Sequence, residues 1–209
     1  MLIDFEMYLV ISLNNMKTKT NSITTLSLTG SEWITRLEKK YKLSDYAKQV
    51  LNSPSFKLTK KSYDIVIFTI KDIGDKLYYT TKEIEDYAFS KGYERLPVDA
   101  ACVIREKFTD KDIEKLGLWY IVTMHESIEA YGGPHFLRAD RDGGGGWLRT
   151  PWAYPGSFWY DFGAFAWSLP QGTKSLKLST KALGTLDLSK ISVEIKIGKD
   201  TFTGNLKRR

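Results

Sequence analysis

An α+β fold, with a mainly antiparallel sheet, a helical hairpin packed on it and a basic β-hairpin at the C-terminus, is predicted by three features of this 209-residue chain. Apolar residues recur at three- and four-residue spacing over 31–51 and 81–108, which marks helices. A run of β-branched and aromatic residues stands at 63–70, and from Leu118 onward the texture is β. The length suits one substantial core. The expected division is therefore a leader or edge strand over 1–22, a single α+β domain over 23–170 and a hairpin tail over 171–209.

The opening M-L-I-D-F-E-M-Y-L-V-I-S-L has the apolar look of a signal peptide, but Asp4 and Glu6 stand where positive charge belongs and no small-residue cleavage site follows. No run approaches the roughly 18 apolar residues of a membrane span. With 42% apolar residues and a mean hydropathy of -0.31, a soluble cytoplasmic protein is expected, export being left open. Ile23, Leu26 and Leu28 among Thr and Ser suggest a short strand. Ser31 is the expected N-cap of a helix that carries Trp33, Ile34, Leu37 and Tyr41 on one face. Helical turns over 44–51 end at Asn52-Ser53-Pro54, because the residue before proline avoids the helical region. The run over 63–70, apolar on both faces, is the expected central strand.

Thr80-Thr81-Lys82-Glu83 opens the next helix with a hydroxyl cap and an early acid; Ile84, Tyr87 and Ala88 face inward, and Gly92 closes it. Pro97 sits at the first turn of another, through Val98, Ala101, Cys102, Arg105 and Phe108, and the two make the expected hairpin. Such a pair is the minimum for a helix-turn-helix, yet the second helix offers only Asp99, Arg105, Glu106 and Lys107, without the Arg, Asn or Gln set that reads base edges. L-W-Y-I-V-T-M from Leu118, Phe136-Leu137-Arg138 and G-A-F-A-W-S from Gly163 read as strands, and Gly143 to Gly146 as a turn or loop. In the tail, Ile191, Val193, Ile195 and Ile197 alternate with Ser192, Glu194 and Lys196, as in a hairpin turning at Gly198-Lys199-Asp200.

The net charge of +6 is unevenly placed. Beyond Pro170 stand nine basic residues (Lys174, Lys177, Lys181, Lys190, Lys196, Lys199, Lys207, Arg208, Arg209) against Asp187, Glu194 and Asp200, which leaves 22 of each sign in residues 1–170. The body is neutral and the tail alone is basic. Any nucleic-acid contact would therefore fall to Lys174, Lys177, Lys196, Lys199, Lys207, Arg208 and Arg209.

Chemistry-bearing residues are few. Cys102 is the single cysteine, so no intrachain disulfide and no Cys-rich zinc site can form, and its place on an apolar helical stripe suits a small hydrophobe rather than a nucleophile. His125 and His135 are the only histidines; with Glu126 they could gather as a hydrolase-type centre, although the second histidine of the zincin motif is missing. Asp140-Arg141-Asp142-Gly143 resembles the start of a calcium loop without its later ligands, the other reading being that its alternating charges pair with one another or with Arg138 at a solvated rim; the glycine run lacks both phosphate-loop patterns. No metal and no cofactor is expected.

Four of six tryptophans lie between Arg138 and Trp167. Phe165-Ala166-Trp167 alternates as a core strand does, whereas Trp147, Trp152, Tyr154, Trp159 and Tyr160 stand among Gly, Pro, Arg and Ser. Rings on such loops, with Arg138 and Arg149 at hand, build protein- or glycan-binding surfaces; a purely structural aromatic core is the other reading, and both stay open.

The order of these elements, through G-Y-E-R-L-P-V-D-A-A, W-Y-I-V and G-G-G-W-L-R to W-Y-D-F-G-A-F-A-W, resembles an uncharacterised family of small bacterial α+β proteins over roughly residues 24–170, a likeness that brings no activity with it. Gly146-Trp147 and 163–167 are also similar to the terminal motif of C-type-lectin-like domains related to formylglycine-generating enzymes, although Ala166 stands near the place of the expected arginine. That resemblance implies that the residues between the two motifs face the ligand. The expected function is a non-catalytic binding module that presents Arg138, Trp147, Arg149, Trp152, Tyr154, Trp159 and Tyr160 to a protein or glycan. The alternatives are nucleic-acid binding by the tail and hydrolysis at His125, Glu126 and His135.

Overall fold

The computed structural model describes residues 21–170, together with the backbone of 192–197 and 200–205. In chain order the elements are β1 (Asn21–Thr24), α1 (Gly30–Leu37), β2 (Lys42–Leu43), α2 (Asp45–Asn52), β3 (Ser62–Thr69), β4 (Tyr79–Thr80), α3 (Thr81–Ser90), α4 (Ala100–Lys107), α5 (Asp110–Lys115), β5 (Tyr120–Ala130), β6 (Gly133–Asp142), β7 (Gly145–Arg149), β8 (Phe158–Trp159) and β9 (Gly163–Ser168). A separate unit holds the antiparallel hairpin β10 (Ser192–Ile197) and β11 (Asp200–Asn205).

Hydroxyl caps start four helices. Thr29, Thr80 and Thr109 each accept from the third residue of α1, α3 and α5 and are answered by Glu32, Glu83 and Asp112; Ser44 accepts from Ala47 in α2. The cap of α1 is thus Thr29, not Ser31, because Gly30 is already helical: a side chain there would run into the Leu51 carbonyl of α2. Helix α5 is unforeseen, although Thr109-Asp110-Lys111-Asp112 carries its capping box.

Seven strands form one sheet in the order β1-β3-β9-β5-β6-β7-β2. The sheet is mixed rather than mainly antiparallel, since β9 runs parallel to β5 and β2 parallel to β7. The cause is that β9, last of the seven in sequence, enters between β3 and β5 instead of extending an edge. This places β9 near the centre and β3 beside the outer strand β1. Alternation assigns the faces. Ile65, Ile121, Ala139, Ala164 and Ala166 pack on α4 and α5, and Leu137 and Leu148 pack among α1, α2 and α4. On the other face Val66, Phe68, Val122, Phe165 and Trp167 pack on Ile84 and Ala88 of α3 and on Tyr79 and Trp159 of the small β4–β8 ribbon.

Helices α3 and α4 therefore lie on opposite faces and make no hairpin. Their linker passes between strands: Glu94 pairs with Ser168 at the end of β9, and the Leu96 amide donates to the Met124 carbonyl of β5 at 2.9 Å. Helical periodicity reports which side of a helix is apolar, not which face of a sheet will cover it.

Strands β5 and β6 form a hairpin far longer than the two short runs expected. Its turn is Tyr131-Gly132, both at positive φ, as a two-residue primed turn needs. Between Thr123↔Leu137 and Ile128↔His135 the register slips, so that Met124 to Ser127 bulge opposite Phe136 alone. Gly143 and Gly144 turn the chain into β7, while Gly145 and Gly146 are part of that strand.

Candidate functional site

Helices cover the whole of one face of the sheet, but on the other face α3 and the β4–β8 ribbon cover only the part around β3, β9 and β5. Over β6 and β7 that face carries Arg138, Asp140 and Asp142 on one strand and Trp147 and Arg149 on the other, since alternate residues of a strand share a face. Arg138, Asp140, Asp142 and Arg149 floor an open cleft of about 620 Å³. Its walls are rings: Trp119 and Tyr120 at the start of β5, Trp152 after β7, and Phe158, Trp159, Tyr160 and Phe162 around β8.

Register puts Arg138 directly opposite Arg149, an unfavourable pairing of like charges in an ordinary sheet. Asp140 offsets it. Its Oδ2 accepts from Arg138 Nε at 2.9 Å and lies 3.7 Å from Arg149 Nη1, while Arg149 Nη2 donates to Asp142 at 2.5 Å. Burial raises the pKa of Asp140, and the two arginines take back part of that shift. The Arg149 hydrogen bond holds Asp142 below the usual carboxylate range. Burial lifts the Tyr120 hydroxyl to about 12, so it stays protonated.

Each cleft arginine lies against a ring: Arg138 on Tyr120 at 4.4 Å, Arg149 on Trp147 at 4.3 Å, Arg141 on Trp119 at 4.7 Å. Below the floor, wholly buried Arg105 of α4 donates to the Asp140 and Phe108 carbonyls at 2.6 Å and to Asp110 at 2.9 Å, and it covers the Tyr41 ring at 4.4 Å. The β6–β7 backbone is thereby fixed from the helical side.

Of the residues singled out in the sequence, Arg138, Arg149, Trp152, Trp159 and Tyr160 line this cleft. Trp147 lies next to it, beneath Arg149, and Tyr154 stacks behind Trp152 at 5.4 Å. Trp159 is a wall rather than a contact platform: it is 4% exposed and its Nε1 donates to Thr81 Oγ1 at 2.9 Å. Phe158 (58%), Trp119 (50%), Trp152 (44%), Phe162 (43%) and Tyr160 (41%) are the open rings. Sequence reasoning missed Trp119, Tyr120, Phe158 and Phe162; of its two readings of Asp140 and Asp142, the structure shows charge pairing, Asp140 with Arg138 and Asp142 with Arg149. Period-two alternation of Arg138, Asp140 and Asp142 was the available signal.

The histidines do not converge on a centre. His125 is fully buried in the β5 bulge, where its Nε2 accepts from the Leu137 amide at 2.9 Å and its Nδ1 lies 2.7 Å from the Glu126 carbonyl. The amide can only donate, so Nδ1 carries the proton and both nitrogens are in use. Burial lowers the pKa of this imidazole to about 4. His135 instead stacks on Trp152 at 4.3 Å and lies 5.6 Å from Tyr46, while exposed Glu126 pairs with Arg95. Cys102 is buried in the core, which pushes its thiol pKa well up. Lys174, Lys177, Lys199, Lys207, Arg208 and Arg209 lie outside the described residues, and of Lys196 only the backbone, in β10, is described. No helix among the described residues is long and apolar enough to cross a membrane. No protein family, curated protein or solved structure compared with the chain matches it.

Proposed function

We propose that this protein is a non-catalytic glycan-binding module whose site is the cleft over β6 and β7. The observation that carries this reading is a floor of interlocked arginines and aspartates ringed by open aromatic faces. A sugar has the complementary character: an apolar C–H face that packs on a flat ring, and a rim of hydroxyls that both donate and accept. Guanidinium and carboxylate groups held by one another give that rim fixed partners at little ordering cost. A protein partner calls for a broader, flatter surface than a cleft of about 620 Å³, which is the size of a small-ligand pocket.

The lining supports a reading of binding without turnover. Among the described residues it contains no His, Cys or Lys, and its two carboxylates are engaged by arginines, one of them buried, so neither is placed as the free acid or nucleophile of a glycosidase. The test is titration of the protein with a panel of oligosaccharides, followed by tryptophan fluorescence and by isothermal calorimetry. Saturable binding that Phe158→Ala weakens about tenfold without change in melting temperature is the expected result. A panel without a binder, or a binder indifferent to Phe158→Ala and to Trp152→Ala, would overturn it.

A further inference from the structure

We infer that the cleft contains a carboxylate subsite on Arg138, so that the glycan it holds is an acidic one bearing a uronate or sialate group. The inference rests on the glycan reading above and adds the chemical class of the sugar.

The placement of Arg138 is the ground for it. Its guanidinium carbon lies over the Tyr120 ring, 4.4 Å from its centroid, and the group is tied to Asp140 through Nε alone. Among the described residues Nη1 and Nη2 make no hydrogen bond, although the side chain is only 25% exposed and lines the cleft. A guanidinium presents its two terminal N–H groups as a parallel fork that matches the two oxygens of a carboxylate. Here the fork is oriented by a ring beneath it and a carboxylate at its side, with its outer end open.

Local charge favours an anion as well. The lining holds three arginines against two aspartates, and Asp140, with a side chain only 4% exposed, lies beneath the guanidinium groups instead of facing a ligand. Of the accessible charged groups, Arg138, Arg141 and Arg149 outnumber the single carboxylate of Asp142. Arg149, directly across the strand pair from Arg138, adds a second cation to the same side of the site. The like-charge pairing that a sheet ordinarily avoids becomes useful when an acid lies between the two.

Single-stranded nucleic acid also joins rings to anions, but it needs a basic track for successive phosphates. The body of the chain is neutral, and the cleft lining holds three arginines and no lysine.

The deciding experiment is an array of uronate- and sialate-bearing oligosaccharides, each beside its carboxyl-reduced counterpart, with sulfated sugars and their desulfated forms as a second arm and oligodeoxythymidylate as a third. Wild type is expected to hold the carboxylated member at least about tenfold more tightly than the reduced one, the worth of one charged, bidentate contact. Arg138→Lys, which keeps a cation beside Asp140 but loses the fork, is expected to erase that gap, with a far-UV circular dichroism spectrum matching wild type as the independent check that it is folded. Equal binding of carboxylated and reduced sugars, or a preference confined to sulfated ones, overturns the carboxylate subsite and leaves the glycan reading standing. Retention of oligodeoxythymidylate alone, or of nothing, overturns both.

Discussion

The guanidinium of Arg138 lies over the ring of Tyr120 at 4.4 Å, so the cleft cation tied to its carboxylate through Nε alone takes its position from a residue on the neighbouring strand. Tyr120 is itself placed by what lies beside it: its ring crosses Gly163, its partner in the β5–β9 pairing, where a Cβ would collide with it. Glycine at 163 is thus a requirement of space. The cleft floor is aligned through three successive strands.

Replacing Gly163 with alanine is expected to push the Tyr120 ring off its strand. Overpacking of this kind costs about 1–3 kcal/mol, to be read from denaturant melts. Arg138 should shift with the ring, so Gly163→Ala should also weaken acidic-sugar binding more than neutral-sugar binding.

Trp152→Ala separates surface from core. The ring is nearly half exposed and leans on His135 and Tyr154 over Gly133, where no side chain would fit. A stability loss of about 1 kcal/mol or less is expected, since an exposed ring has little burial to lose, with ligand binding reduced about tenfold. Calorimetric melts beside binding titrations check both halves.

His125 makes stability depend on pH. Its folded pKa, about 4, lies below the ordinary 6.5, so the unfolded chain takes up the proton first. The stabilisation from the neutral imidazole is complete above pH 6.5 and is lost as pH falls towards 4, by about 3 kcal/mol in all. Urea titrations at pH 7 and pH 4.5 should show this fall in wild type and a much smaller one in His125→Gln.

Arg105→Met should be the most damaging of these changes. It leaves the Asp140 and Phe108 carbonyls without their donor and Asp110 without its cation. Breaking a buried pair from one side costs about 3–5 kcal/mol, and the partial exposure of Asp110 favours the lower end. A lowered midpoint with an unchanged denaturant slope is the expected signature.

Much of the fold was legible where chemistry is local. The helical turns over 44–51, the Thr80–Glu83 box and the β-branched run of β3 can each be recognised without any distant partner. What escaped depends on distant residues. β6 reads as a fragment because Gly133, Pro134, Arg138, Asp140 and Asp142 are poor strand formers, and the long pairing with β5 overrides that preference. The aromatic segment showed which rings were candidates, but whether a ring is wall or platform turns on contacts such as Trp159 with Thr81, far apart in sequence.

The place of β9 also governs how the chain can fold. Among the described residues, β1 and β3 on one side, and β5, β6, β7 and β2 on the other, are joined into one sheet only through residues 163–168. Until that segment arrives, β3 and β5 each present an unpaired edge, the kind of surface on which nascent chains aggregate. The closing step brings Ile65 against Ser168 across about a hundred residues, an entropic cost that makes folding slow and leaves the sheet incomplete on a ribosome still holding the aromatic segment.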